Sequence, residues 1–361
     1  MTRPLSVVAF GMVTAVGSSG PAATAALRAG IHGIRRGNLW DPTAMEYMPA
    51  GRPVMPQWWE GRDMLAELAA PAIAECTTAA ENMFHVPAGA VPVVVLLPPP
   101  ERPCRWPQLE AAIMDDLARK LGRPLAQGSA VVAEGRTGFV RALAIASDLA
   151  YGARMGCVIA GVESFLRQAI VNHYIGEGRL RTAANSNGFS PGEAAAAVLV
   201  APADASRGPE LVLRGVGWAR DPSGAGGTAA RPATGDGLTE ATRHALQRAR
   251  WDFRDLDLRI SDANGEHWKM KEVVFSSTRL DRLRPSGAPP RRFGMLDHWH
   301  PIEFVGEVGA AIFPLILGWA LHAGVNRYLH GPRVLLHAAE DAGDRAAVVA
   351  EYRAGVARGS P

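Results

Sequence analysis

A thiol nucleophile needs more than a cysteine. It needs a helix N-terminus or an imidazole beside it to hold the thiolate. This sequence offers Cys76, Cys104 and Cys157. Cys76 falls inside a helical stretch, Cys104 in a proline-rich loop and Cys157 at the start of a strand. Each therefore reads as core or surface. An odd, widely spaced trio without a C-x-x-C pair excludes a disulfide scaffold and a cysteine zinc site, and it fits a reducing compartment. His298 and His300 flank Trp299 without a third ligand nearby, so no metal is expected. There is no phosphate loop, dinucleotide fingerprint or hydrolase elbow, and no cofactor is expected. One basic cluster stands out: Lys269, Lys271, Arg279, Arg282, Arg284, Arg291 and Arg292. It reads either as a solvated loop or as a docking face for an acidic partner. Trp58, Trp59, Trp106 and Trp299 either cap the core or belong to a protein interface, where tryptophan is enriched.

These groups sit on a rhythm of strands and helices. Leu5 to Met12 is a β-rich run, and Ala22 to Ala29 a helix stopped by Gly30. Helices are expected at 62–83, 109–121, 137–151 and 238–250, and 314–322 is expected to lie in a buried helix. Strands are expected at 92–97, 130–133, 157–160, 194–200, 211–218, 258–262 and 334–337, with 347–349 closing the sheet. The wholly apolar run Pro92 to Leu97 suits a sheet covered on both faces. The stretches 221–236 and 284–292 read as surface loops.

Composition narrows the class. The 361 residues are 48% hydrophobic and 20% charged, which is globular and long enough for a large core. Lysine occurs only at 120, 269 and 271, so 35 of the 38 basic residues are arginine. They are scattered and the net charge is only +3, which argues against nucleic-acid binding. The N-terminus lacks signal-peptide features, and the longest apolar run, 308–323, is short and holds Pro314. A soluble, cytoplasmic protein without a membrane span is expected.

Four collinear segments then point to one family. Residues 7–34 (VVAFGMVTAVGSSGPAATAALRAGIHGI), 151–164 (YGARMGCVIAGVES), 188–200 (GFSPGEAAAAVLV) and 303–311 (EFVGEVGAA) are similar to the β-ketoacyl synthases. The chain thus resembles that family, within the thiolase-like superfamily. The resemblance implies an α/β fold of five αβαβα layers made of two related halves, 1–205 and 206–361. It also implies a homodimer or heterodimer built on the strand near 128–133. Glu163 and Glu193 fall at scaffold positions of the family.

The family's condensing members use a cysteine at a helix N-terminus and two histidines. Here the cysteine position falls on Gly135, or on Glu134 with a one-residue slip. The first histidine position holds Asn264, with His267 three residues on, and the second holds Glu307. The lysine five residues before that is Ile302, and the C-terminal glycine-rich gate reads Glu340-Asp341-Ala342-Gly343. A carboxylate facing a developing oxyanion repels it. The resemblance therefore implies a catalytically degenerate synthase-like protein, in which cysteine-dependent acyl transfer is not expected. Chain-length factors show such loss and pair with an active synthase, although they usually carry glutamine at the cysteine position. The expected partners are a second copy, an active synthase, an acyl carrier protein or an unrelated client protein. The alternative is an enzyme with altered acid/base chemistry, in which Glu134, Glu307 and His267 converge on an acyl thioester-like ligand and Arg136 binds an anion.

Overall fold

The computed structural model describes residues 4–55, 60–153, 156–228, 230–282 and 296–355. In chain order the strands are β1 (Leu5–Val13), β2 (Ile34–Asp41), β3 (Glu46–Gly51), β4 (Val93–Leu96), β5 (Ala130–Val132), β6 (Cys157–Ser164), β7 (Glu193–Pro202), β8 (Glu210–Arg220), β9 (Leu258–Ser261), β10 (Asp297–Trp299), β11 (Arg333–Ala339) and β12 (Asp344–Arg353). The helices are α1 (Gly20–Arg28), α2 (Asp63–Phe84), α3 (Leu109–Leu121), α4 (Phe139–Ala153), α5 (Gln168–Gly176), α6 (Asp236–Ala249), α7 (His267–Arg282), α8 (Ile302–Val305) and α9 (Ile312–Val325).

Ten strands hydrogen-bond in the order β10-β9-β11-β12-β8-β1-β7-β6-β4-β5. The β1–β8 pair is the centre, and the pattern repeats outward from it. β7 and β6 are antiparallel to their inner neighbours, then β4 and β5 run parallel. On the other side β12 and β11 are antiparallel, then β9 and β10 run parallel. The strand at 347–349 thus lies inside the sheet, and β5 and β10 form its edges.

Period-two side chains create the layers. Val94, Leu96, Ile159 and Val198 join the central core with α9 residues such as Ile316 and Ala320. Their neighbours Val93, Val95, Val158 and Leu199 face outward onto α2 and α3 residues such as Leu68, Ile73 and Ile113. In the other half Val334, Leu336 and Val348 face the central core. Leu335 and Val349 face the outer layer that holds Ala241 and Ala245 of α6 and Leu280 of α7. Helix, sheet, helix, sheet and helix follow in turn. Pro314 falls in the first turn of α9, where a missing N–H costs little. No helix among the described residues is long and apolar enough to cross a membrane.

The β2–β3 hairpin, β10, α5, α7 and the four-residue α8 were not apparent from the periodicity. The β2–β3 hairpin is largely exposed and its register breaks between Arg36 and Trp40, so it lacks alternation. β10 is three residues long. In α5 the buried set is only Ile170, Val171 and Tyr174. The buried face of α7 includes Lys269, Glu272 and Ser276 beside Trp268, Val273 and Leu280, and charged residues there hide a helical period. The stretch 221–236 is also less loose than expected. Asp221 is buried and accepts hydrogen bonds from Ser223 N at 3.0 Å and Gly237 N at 2.9 Å, which fixes the start of α6. The loop expected at 284–292 and the residues Trp58 and Trp59 lie outside the described residues.

Candidate functional site

The site is built where strands end, as is usual in α/β sheets. After β5 the chain turns sharply through Gly135–Thr137, a 3-10 turn that leads into α4. Gly135 has φ +60 and its N–H donates to Leu97 O at 2.9 Å. After β9 comes Asn264, after β11 Glu340 and Asp341, and after α8 Glu307, whose N–H donates to Ser190 O at 2.8 Å. Gly309 (φ +50) lies against the Glu163 carboxylate, and a Cβ there would overlap it.

Charged side chains fill the space between these turns. Arg136, with no exposed surface, donates from Nη1 to Glu340 Oε1 at 2.8 Å and from Nε to Glu307 Oε1 at 3.2 Å, and its backbone N donates to Glu340 Oε2 at 2.9 Å. Arg102, also buried, donates to Glu163 Oε1 at 2.7 Å, Glu340 Oε2 at 3.1 Å and Asp341 Oδ2 at 3.2 Å. Arg179 forks onto Glu266 (2.7 and 3.0 Å) and Asp341 (both 3.0 Å). Asn264 Nδ2 donates to Glu307 Oε2 at 2.8 Å. Lys269 Nζ lies 2.5 Å from Asp262 Oδ2 and 3.9 Å from Glu307 Oε2. Behind them Arg345 is paired with Glu272 and donates to Glu340 O at 2.8 Å. The bidentate forks are what arginine supplies and lysine does not, so the arginine-rich usage has a structural role here.

Burial alone would push the Glu307 carboxyl up. Arg136, Lys269 and the hydrogen bonds from Arg136 and Asn264 overcome that and hold it at about 2. Asp341 is likewise driven up by burial but held well below the usual range by Arg136, Arg102 and Arg179. Glu163 goes the other way: burial pushes it up further than Arg102 pulls it down. Glu307 is thus a locked carboxylate whose oxygens accept from Arg136, Asn264 and Gly309 N. It is not poised to move a proton.

The residues expected to converge do not. Glu134 is 43% exposed and pairs with Arg141 at 2.7 Å on the surface. His267 is exposed, and its N–H donates to Asn187 Oδ1 at 2.8 Å. Only Asn264 and Glu307 meet, and Arg136 is already held by carboxylates. The docking cluster also divides. Lys269 is buried in its ion pair, so it cannot meet a partner. Lys271 and Arg282 are exposed, and Arg279 pairs with Asp236 at 3.2 Å. Arg284, Arg291 and Arg292 lie outside the described residues. Trp106 carries Arg167 over its ring at 3.6 Å, and Trp299 packs on Trp319 at 4.9 Å. A third imidazole, His337, does lie near His298, at 6.4 Å. No group of His, Cys, Asp or Glu among the described residues could hold a metal ion.

Cys76 and Cys157 are buried and Cys104 is exposed. Burial pushes the Cys157 thiol up to about 12 and raises Cys76 as well. A disulfide-exchange reagent is expected to titrate one thiol in the native protein and three after unfolding. Two fast thiols in the native state would contradict these positions.

A second expectation concerns Gly135. A Cβ built there would fall on Glu340 Oε2 and lie 2.9 Å from Pro99 Cδ. Gly135→Cys is therefore expected to cost about 2–4 kcal/mol, from strain at positive φ and the clash, and to gain no acylation. Urea denaturation and intact mass after incubation with an acyl thioester check both parts.

Sequence reasoning missed Arg102, Arg179, Asp262, Glu266, Glu272 and Arg345, and read Glu340 and Asp341 only as an eroded gate. The available signal was a charge placed directly after an apolar strand, as in Ile260-Ser261-Asp262 and Ala338-Ala339-Glu340-Asp341.

No protein-family model and no curated protein matches the sequence. Solved structures do match. The complex of the ketosynthase ApeO with its chain length factor ApeC, from Xenorhabdus doucetiae, gives a TM-score of 0.70 at 14% identity over 98% of both chains. The ishigamide ketosynthase/chain length factor gives 0.70 at 16% identity, covering 97% of this chain and 99% of that one. The complex AntDE:AntF, a type II PKS acyl-carrier protein with its ketosynthase, gives 0.74 at 12% identity, with the same coverage. The chain therefore has the thiolase-like fold of ketosynthases and chain length factors over nearly its whole length.

Proposed function

We propose that this chain is a non-condensing ketosynthase-like protein that works as a partner subunit, in the manner of a chain length factor. The carrying observation is the ion network seated on the nucleophile position and both imidazole positions. Gly135 offers no thiol, Glu340 takes the space where one would project, and Glu307 and Asn264 bond each other. The role of these residues is to close the site: paired charges occupy the volume where a thiol and two imidazoles would have to meet. Acid/base catalysis by Glu134 and Glu307 is disfavoured by their separation and by the locked state of Glu307. The two halves, 1–205 and 206–361, are read as copies of one pattern, which the repeated strand order supports.

Dimerisation is assigned to β5, an edge strand whose Ala130 and Val131 are half-buried. Light scattering on the purified chain, alone and mixed with a condensing ketosynthase from the same cells, tests this. A dimer is expected in at least one case. Val131→Pro is expected to weaken it at least ten-fold by removing a ladder hydrogen bond. A monomer in both cases would overturn the partner reading.

A further inference from the structure

Helix α7 is patterned the wrong way round for an outer-layer helix. Its buried face holds Lys269 and Glu272 among the apolar residues. Met270, Val274 and Phe275 point outward instead, at 40%, 43% and 40% exposure. Among the described residues nine large hydrophobic side chains are exposed, and these three fall within residues 270–275. A single exposed hydrophobic residue is ordinary. Three on one helix face, on the side turned away from the core, mark a contact surface.

Helical spacing sets cations among them. Met270, Val274, Thr278 and Arg282 form one i, i+4 row, and Lys271, Phe275 and Arg279 form the row beside it. Lys271 and Arg282 are exposed and have no carboxylate partner among the described residues. Arg279 lies over the Phe275 ring at 5.9 Å and pairs with Asp236 at 3.2 Å. Asp281 is half-buried and turned to Arg254 at 3.2 Å. The face is therefore both apolar and electropositive. Residues 283–295 follow α7 directly, but they carry Arg284, Arg291 and Arg292 and no acid, so like charge disfavours them as its cover. A two-fold pairing of α7 with its own copy would likewise bring the same cations together.

We propose that the exposed face of α7 docks an acidic amphipathic helix of a partner protein. The apolar side of that helix packs on Met270, Val274 and Phe275, and its carboxylates meet Lys271 and Arg282. The surface goes beyond the β5 reading and does not depend on it, since α7 covers the C-terminal half and β5 is an edge of the other half. The probe is a synthetic amphipathic peptide of about 18 leucine and glutamate residues, titrated into the full chain and followed by fluorescence anisotropy. Analogues with lysine in place of glutamate, and with the order scrambled, are the controls. Saturable binding of the acidic peptide is expected, roughly ten-fold or more tighter than either control and weaker as salt rises. Phe275→Ser and Val274→Ser should each weaken it roughly ten-fold. Both side chains lie on the surface, so the fold is kept. Lys271→Glu/Arg282→Glu should turn the preference toward the lysine analogue. Met45→Ser, which removes an exposed hydrophobic residue from the turn between β2 and β3, should leave binding unchanged. Equal affinity for the acidic and lysine peptides, or affinity untouched by Phe275→Ser, would overturn the site. So would self-association in light scattering that Phe275→Ser abolishes, because a second copy would then be the occupant.

Discussion

Replacing Arg136 with methionine is expected to destabilise the protein by about 3–5 kcal/mol. The guanidinium is fully buried and faces Glu307, Glu340 and Asp341. Removing it leaves the buried carboxylates of Glu307 and Glu340 without their main counter-charge, and the penalty comes from those uncompensated charges more than from the lost contacts. The triple variant Arg136→Met/Glu307→Gln/Glu340→Gln should recover more than half of the loss, because it removes the stranded charge. Urea denaturation of the single and combined variants measures the coupling directly. A loss below about 1 kcal/mol for Arg136→Met would mean that solvent enters the site.

Acid is the second large lever, and it acts first through histidine. His298 is held at about 3, by burial first and then by Arg259 and His300. His337 is also pushed well below its usual value, chiefly by burial. Both values lie below those of the unfolded chain. Their contribution to stability is therefore complete above about pH 6.5 and is lost as pH falls, because the unfolded chain takes up the protons first. His298 alone should cost about 2 kcal/mol by pH 5. Glu307 adds to this only below about pH 4.5, across the window down to about 2. Glu163, raised by burial, works in the opposite direction over its own range. The expected result is a melting temperature that falls steadily from pH 6.5 to pH 5. His298→Gln, which keeps a donor near Ser261 but cannot titrate, should flatten that slope. An unchanged slope in the variant would remove His298 from the account.

How much of this was legible in the sequence depends on how local the signal is. The strands at 93–96, 157–164 and 193–202 announce themselves because both faces are apolar. Gly135, Asn264 and Glu307 were singled out by the resemblance to the family's motifs, not by any pattern of their own. Their partners were not, because Arg102 meets Glu340 across 238 residues of chain, and no local pattern marks such a pair. The same cause hid α7. Its buried face is matched to charges on other elements: Lys269 to Asp262 and Glu272 to Arg345. A reading by hydrophobic period sees apolar contact and is blind to a core held by ion pairs. Lys269 was placed among docking residues for that reason, since a lysine in sequence looks exposed until its partner is known.

The central claim is that the site is closed to acyl transfer. The most direct measurement is intact mass of the Cys104→Ser variant after incubation with acyl and malonyl thioesters, with free malonyl thioester followed in the same tube. Removing the exposed thiol leaves only buried cysteines. The expected result is an unchanged protein mass and malonyl thioester lost no faster than in buffer. An acyl adduct on the chain, or accelerated decarboxylation, would contradict the account.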